Sequence, residues 1–273
     1  ARVAGDETAD ADLRAEAILG LAPWASKPDE PNAARSLLLE LARSSDRVIR
    51  AESLRSLRGL ADNDPTVGKV LREIYEQLDR GEGSDAGTIP RDWSEPLAMA
   101  LGESNDPGIY KVLLAAANRP AEAADWNSVV GTGGNAAAGS RVFYHSKSAG
   151  CYRCHTVNGR GGNVGPDLSV IARTMDRRKL AQSILIPSRE VAPQFVTWTI
   201  VTKSGRVHNG LIVDETREGK ILLGNAEGKV IELWGDDIAQ RTTKKLSRMP
   251  ARLIEQWTVD EFRDLLAFLE TLK

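Results

Sequence analysis

Cysteine, histidine and methionine are all scarce in this chain. Its 273 residues include 2 Cys, 3 His and 3 Met, so few side chains are available to hold a metal or a redox centre. Aromatic residues make up 5% of the chain and the formal net charge is −2, which provides no polybasic surface of the kind that binds nucleic acid. No apolar run reaches the length of about 18 residues that a membrane-spanning helix needs. We therefore expect neither a nucleic-acid partner nor a membrane span, and the length allows two domains.

Both cysteines lie in one short motif. Cys151 and Cys154 have the spacing C-x-x-C, and His155 follows directly. This order is typical of covalent haem c attachment. Each thiol can form a thioether with a vinyl group of the porphyrin, and the histidine then supplies the proximal ligand of the iron. The motif therefore predicts haem c as the cofactor, with Cys151 and Cys154 as attachment sites and His155 as a metal ligand.

Three other uses of the motif stay open. A thioredoxin-like dithiol would favour a βαβ pattern near the cysteines, and none is visible. A zinc site would need four ligands, and only His145 and His208 remain as spare strong ligands. A plain disulfide between the two cysteines is the third alternative.

The motif also bears on location. Haem c is attached outside the cytoplasm in bacteria, so we expect a periplasmic or exported protein, and no cysteine is left over as a free thiol. The chain starts at Ala1 without a signal peptide, so we expect it to be a mature or excised piece of a longer protein.

Residues 1–125 are rich in Ala, Leu, Arg and Glu with helical spacing of the apolar positions. Residues 14–21 are echoed by residues 50–57, an offset of 36 residues that is within the range of helical-pair repeats. Asp64-Pro65 and Asp106-Pro107 are typical of helix starts, with a capping Asp and Pro at the first helical position. We predict a HEAT-like helical repeat domain in residues 1–125, with an irregular helical domain as the alternative.

Two predicted helices frame the motif in residues 126–273. Asn135 can cap a helix over residues 136–144, in which Gly139 and Phe143 lie one turn apart on one face. This is the pattern of the first helix of a class I cytochrome c. At the other end, Thr258 and Glu261 predict a capping box, and the helix that follows should cross the one that carries Gly139.

The segment after His155 predicts the surroundings of the imidazole. The Gly165-Pro166 pair resembles the cytochrome c segment in which a proline carbonyl accepts the N–H of the proximal imidazole, a bond that would fix the orientation of the ring. Arg160 and Asn163 are candidate partners for the haem propionates, although a solvated loop is an equally good interpretation of both.

Residues 191–245 change to the two-residue period of β-strands. Two hairpins are predicted here, formed by Phe195–Thr202 with Val207–Val213 and by Ile221–Leu223 with Val230–Leu233. We predict an inserted antiparallel β module that shields the haem edge, forms a dimer contact or presents a docking face.

Met249, followed by Pro250, is the predicted sixth ligand of the iron. A thioether ligand raises the reduction potential relative to two imidazoles. Met175 lies close to the haem-binding segment and is expected to serve in packing. His145, expected to be exposed, and His208, in the β module, are weaker alternatives, and an open iron site is another.

Four segments carry a resemblance to a known family: Cys151–His155, Gly165–Leu168, Ile184–Ser188 and Met249-Pro250. In this combination the chain resembles the Pirellula/Verrucomicrobium-type haem-binding domain, a cytochrome c with a β insertion, over about residues 130–273. Such domains often end large proteins that carry HEAT-like repeats. The resemblance implies that Cys151 and Cys154 attach haem and that His155 and Met249 are the proximal and distal ligands.

The expected fold is mainly α: a HEAT-like α-solenoid in residues 1–125, then a cytochrome c-like helical domain in residues 126–273 with a small antiparallel β insertion in residues 191–245. The expected function is that of a monohaem c-type cytochrome that is not an enzyme. It would take single electrons from a periplasmic dehydrogenase and pass them to a downstream acceptor. Assembly into a homo-oligomer is an additional possibility that the sequence leaves open. The alternative is a haem-based sensor or ligand-binding protein with a displaceable Met249. A peroxidase would need distal acid–base groups, and histidines are few.

Overall fold

The computed structural model describes residues 1–28, 31–81, 89–120, 125–126, 128, 130–145, 147 and 150–273. Within these ranges the chain forms ten α-helices with defined bounds and two antiparallel sheets, in agreement with a mainly α fold that carries a small antiparallel sheet. No helix in the described ranges has the length and apolar character needed to cross a membrane.

The chain divides into two compact units. The first comprises Ala1–Ala121, His145–Ala149 and Gln256–Glu261, and the second comprises Glu122–Tyr144, Gly150–Glu255 and Phe262–Lys273. The predicted domain boundary after residue 125 falls beside residues that lie outside the described ranges, so it stays a prediction.

The described residues of the first unit form seven helices: α1 Arg2–Gly5, α2 Ala11–Ala25, α3 Ala33–Leu41, α4 Arg47–Leu57, α5 Pro65–Asp79, α6 Arg91–Leu101 and α7 Pro107–Ala116. A side-chain oxygen accepts an N–H of the first turn in five of them, from the caps Asp10, Asn32, Asp46, Asp64 and Asp106. The helix starts predicted at Pro65 and Pro107 are therefore confirmed. The echoed segments 14–21 and 50–57 lie in α2 and α4, which pack against each other; the HEAT class itself stays a prediction.

Helix α4 carries a buried ionic cluster in the first unit. Nε of Arg55 and Nη2 of Arg58 each donate to Oε1 of Glu261 at 2.6 Å, and Nη1 of Arg55 donates to Glu52 at 2.7 Å. Each of these four side chains is at most 9% exposed. Because a buried charge is tolerated only when it is paired and hydrogen-bonded, the cluster ties α4 to the segment at residues 256–261.

His145 belongs to the same unit, and its predicted exposure is wrong: the residue is fully buried. Its Nδ1 accepts the backbone N–H of Lys147 at 2.9 Å, so the ring proton is placed on Nε2, 3.2 Å from Oγ of Ser56. Burial, reinforced by Arg55 and Arg58, lowers the pKa of His145 to about 2, so the imidazole is neutral. The burial comes from Ser56 and its neighbours, 89 positions earlier in the chain, which the local sequence around His145 cannot reveal.

Three helices with defined bounds lie in the described part of the second unit: α8 Ala136–Tyr144, α9 Arg177–Leu185 and α10 Val259–Glu270. The first residues of α10 are assigned to the first unit. The predicted crossing of α8 and α10 is confirmed. A Cβ on Gly139 would overlap the carbonyl oxygen of Asp264, and the rings of Phe143 and Phe268 lie 5.7 Å apart. The glycine thus allows the backbones of two helices to approach closely.

The capping box at the start of α10 is also confirmed. The backbone N–H of Glu261 donates to Oγ1 of Thr258 at 3.0 Å, and the backbone N–H of Thr258 donates to Oε2 of Glu261 at 2.9 Å. On this helix Phe262, Leu265, Leu266 and Leu269 are buried, as is Leu272 just after its end. One glutamate therefore caps the helix and completes the ionic cluster.

The β module forms a five-stranded antiparallel sheet from β3 Thr197–Thr202, β4 Val207–Glu215, β5 Lys220–Gly224, β6 Val230–Trp234 and β7 Ile238–Lys244, in the order β6-β5-β4-β3-β7. Both predicted hairpins are confirmed, and Ile200, Ile221 and Leu223 are the buried core of the sheet. The prediction missed β7. Its residues after Ile238 are all exposed, so it lacks the alternating apolar pattern that identifies a strand.

Candidate haem-attachment site

The two cysteines lie on a single tight turn. A 3-10 turn spans Cys151–Arg153, and the backbone N–H groups of Cys154 and His155 donate to the carbonyl of Cys151 at 3.2 and 2.9 Å. Both cysteine side chains are half-buried and neither is in a disulfide. Two thiols and one imidazole are thus presented from one short stretch of backbone.

The loop that follows folds back on this turn. It forms a small hairpin from β1 Thr156–Val157 and β2 Arg160–Gly161, which the sequence did not predict. The backbone N–H of Gly162 then donates to the carbonyl of Tyr152, and that of Gly165 to the carbonyl of Cys154, both at 2.7 Å. A Cβ on Gly162 would overlap the carbonyl oxygen of Arg153, so this close return needs a glycine.

The imidazole of His155 is held by one side of its ring. Its Nδ1 lies 2.9 Å from the carbonyl oxygen of Pro166, which is the hydrogen bond that the sequence predicted. A Cβ on Gly165 would lie 2.8 Å from Cε1 and 2.9 Å from Nδ1 of the ring, so the backbone packs directly on it. Among the described residues, Nε2 has no hydrogen-bond partner. Nδ1 therefore carries the proton and Nε2 keeps the lone pair that a metal needs.

The protonation states of His155 and the two cysteines favour some interpretations of the motif over others. Burial lowers the pKa of His155, although the hydrogen bond to Pro166 opposes the shift, so the ring is neutral as a metal ligand must be. Burial raises the pKa of Cys151 to about 12 and also raises that of Cys154. A redox-active dithiol needs a thiol with a lowered pKa, so these protonated thiols disfavour the thioredoxin-like interpretation.

The other two alternatives are disfavoured by geometry. The cysteines are not joined to each other, which argues against a structural disulfide. No group of three or more His, Cys, Asp or Glu side chains placed to hold a metal ion occurs in the described part of the chain, which argues against zinc. Two unjoined thiols, followed in sequence by an imidazole whose Nε2 has no partner in the described part of the chain, fit the attachment chemistry of haem c.

A comparison with family models identifies this part of the chain. Residues 136–199 match the family model for cytochrome c. Residues 136–199 therefore support a cytochrome c-type haem-binding domain, and covalently bound haem c with its iron is the cofactor. The match supports a haem-binding electron-transfer cytochrome that acts with redox partner proteins; domains of this family are usually exported or periplasmic. A search of the curated proteins returned no match.

The matched part of the cytochrome c domain contains both predicted propionate partners. Arg160 is exposed, and its guanidinium lies 4.0 Å from the centre of the Tyr144 ring, a cation–π contact that the sequence did not predict. Asn163 is exposed in the loop before Gly165. Both residues follow the attachment turn in the loop that leads to Gly165, and their contact with propionates stays a prediction.

Met249 lies beyond the matched residues of the cytochrome c domain, in the segment between β7 and α10. Its side chain is half-buried, and its backbone N–H donates to Oγ of Ser247 at 3.1 Å. Met175 is also half-buried in the second unit. The role of Met249 as distal ligand stays a prediction.

Proposed function

We propose that this chain is a monohaem c-type cytochrome that carries single electrons and performs no bond chemistry of its own. The observation that supports this best is the state of His155. Its Nδ1 is hydrogen-bonded to Pro166, its Nε2 has no hydrogen-bond partner among the described residues, and the two cysteines that precede it in the motif are not joined. When bound, haem c supplies an iron that is reversibly oxidised and reduced by one electron. With 2 cysteines in the whole chain, there is one attachment motif and therefore one haem.

In this proposal the protein holds the haem and sets its reduction potential. Pro166 fixes the orientation of the proximal imidazole and raises its basicity. Met249 is proposed as the distal ligand, because a thioether favours the ferrous state and raises the potential. An iron held by both His155 and Met249 would have no open position for a substrate, which is why we propose an electron carrier and not an enzyme.

The partners are proposed to be an electron-donating dehydrogenase and a downstream acceptor in the periplasm or outside the cell. Encounters between redox proteins use small, transient interfaces. A chain with 36 basic and 38 acidic residues provides no strong net field for permanent association. The helical first unit is proposed to be a HEAT-like scaffold.

An absorption spectrum with a redox titration tests the proposal. We expect one covalently attached haem per chain, a low-spin spectrum, and a weak band near the red end of the visible range in the oxidised protein. Met249→Ala should abolish that band, whereas the matched control Met175→Ala should keep it. A high-spin resting spectrum, or rapid binding of carbon monoxide by the unmodified protein, would instead support the haem-based sensor.

A further inference from the structure

The β5–β6 hairpin reaches the haem-attachment turn. The turn of this hairpin, residues 225–229, is closed by Asn225, whose side chain accepts the backbone N–H groups of Glu227 and Lys229 at 3.1 and 2.9 Å. Gly228 in this turn packs on Arg153, which lies between the two cysteines in the attachment turn. A Cβ on Gly228 would overlap the carbonyl oxygen of Arg153 and lie 2.8 Å from its carbonyl carbon. Backbone therefore packs on backbone at this point.

The same hairpin makes a second close contact, at a residue two positions before Pro166, whose carbonyl accepts the N–H of the proximal imidazole. A Cβ on Gly224, at the end of β5, would lie 2.6 and 2.7 Å from Cγ1 and Cγ2 of Val164. Val164 is buried and directly precedes Gly165, which packs on the ring of His155. This contact therefore presses on the segment that carries the hydrogen-bond acceptor of the proximal imidazole.

The two contacts act on the two halves of one site. Gly228 meets the backbone that carries the thiols, and Gly224 meets the segment that orients the imidazole. Both glycines belong to one hairpin. Gly224 ends β5, which is paired with β4 and β6, and the backbone N–H of Gly228 donates to the carbonyl of Asn225 at 3.2 Å, so hydrogen-bonded structure sets the distance between the two contacts. We propose that the β5–β6 hairpin is a positioning element of the haem site, which holds the attachment turn and the proximal loop in fixed register.

This inference rests on the proposed haem c function and assigns the β module a role within it. The hairpin acts through Arg153 and Val164 on the orientation of the proximal ligand. The orientation and hydrogen bonding of an axial imidazole are among the means by which a protein sets a haem potential. Displacing the hairpin should therefore change the reduction potential and not merely the stability.

Gly228 has a matched control in the same sheet. Gly228 has a φ of +76° and Gly219, in the β4–β5 turn, has a φ of +83°, but a Cβ on Gly219 would meet no atom within 4 Å. Gly228→Ala and Gly219→Ala therefore impose similar backbone strain, and only the first creates a collision with Arg153. We expect Gly228→Ala to lower the fraction of chains with covalently attached haem and to shift the potential and spectrum of the attached haem, with Gly219→Ala like the parent protein. Equal behaviour of the two variants would refute the proposal.

A second pair of variants tests the Val164 contact and stands even where Gly228→Ala does not fold. Gly224→Ala should shift the reduction potential because its methyl group collides with Cγ1 and Cγ2 of Val164. Val164→Ala removes both atoms, so the double variant Gly224→Ala/Val164→Ala should return the potential at least halfway toward that of Val164→Ala alone. A double variant with no recovery contradicts the inference. Unmodified protein that matures without haem would overturn the proposed function itself, a result distinguishable from both.

Discussion

Replacing Glu261 with glutamine tests the buried ionic cluster of the first unit. Glu261 accepts hydrogen bonds from Arg55 and Arg58 at 2.6 Å, and its second oxygen caps the N–H of Thr258. A glutamine oxygen can still serve the capping box, so Glu261→Gln removes the negative charge while keeping shape and cap. Two buried guanidinium groups then face one fewer carboxylate.

Two independent arguments give a similar loss of stability for Glu261→Gln. Burial alone would raise the pKa of Glu261, but the charges and hydrogen bonds of Arg58 and Arg55 lower it from 4.5 to about 2. At ~1.4 kcal/mol for each tenfold change in proton affinity, this difference contributes about 3 kcal/mol to the free energy of unfolding at neutral pH. Independently, removing one partner of a buried ion pair costs about 3–5 kcal/mol. We expect Glu261→Gln to lose about 3 kcal/mol at pH 7.

Urea unfolding followed by far-ultraviolet circular dichroism measures the loss. The matched control is Glu255→Gln, which breaks an ion pair with Arg252 between side chains that are 54% and 82% exposed and should cost less than about 1 kcal/mol. A lowered carboxyl pKa stabilises above the unfolded pKa and ceases to do so as pH falls through the folded pKa. The difference in the free energy of unfolding between the parent protein and Glu261→Gln should therefore decrease below pH 4.5, and at about pH 3 it should be less than half of its value at pH 7. Equal losses for both variants at pH 7 would refute the reasoning.

Three further predictions concern Gly139, His145 and Gly165. Gly139→Ala places a methyl group against the carbonyl of Asp264 and should lower the free energy of unfolding, measured by thermal unfolding, by about 1–3 kcal/mol. The control Gly20→Ala lies in a helix with open space around it and should be neutral or stabilise by up to about 1 kcal/mol. Stability changes of the same sign in both variants would contradict the packing at Gly139. The pKa of His145 is lowered to about 2, so below about pH 6.5 the unfolded chain takes up a proton that the folded chain does not. The free energy of unfolding should therefore decrease as the pH is lowered, by ~1.4 kcal/mol for each pH unit. His145→Gln should remove that slope between about pH 6 and 5, and an unchanged slope would show that the ring is not buried and neutral. Gly165→Ala, whose methyl group would lie 2.8 Å from the proximal ring, should shift the electron paramagnetic resonance spectrum of the oxidised protein, and an unshifted spectrum would count against the packing on the ring.

Features that depend on neighbours in sequence were predictable. The spacing of Cys151, Cys154 and His155 identified the attachment motif because both thiols and the imidazole come from one turn of backbone. The start of α10 was predictable for the same reason, since Thr258 and Glu261 satisfy each other's backbone N–H groups within one helical turn. Local hydrogen bonding leaves a local pattern of residue types.

Features that depend on distant parts of the chain were decided by tertiary structure. His145 is buried because Ser56 and the charged residues of α4 surround it, and β7 is a strand because β3 supplies its hydrogen bonds. Gly228 meets Arg153 across 75 positions of sequence, and neither segment carries a mark of the other. The sequence by itself determined the chemistry of the site, because covalent attachment needs only three residue types in order. Tertiary structure decided what surrounds that site, because contacts between distant segments are selected by packing of the whole unit and not by the composition of either segment.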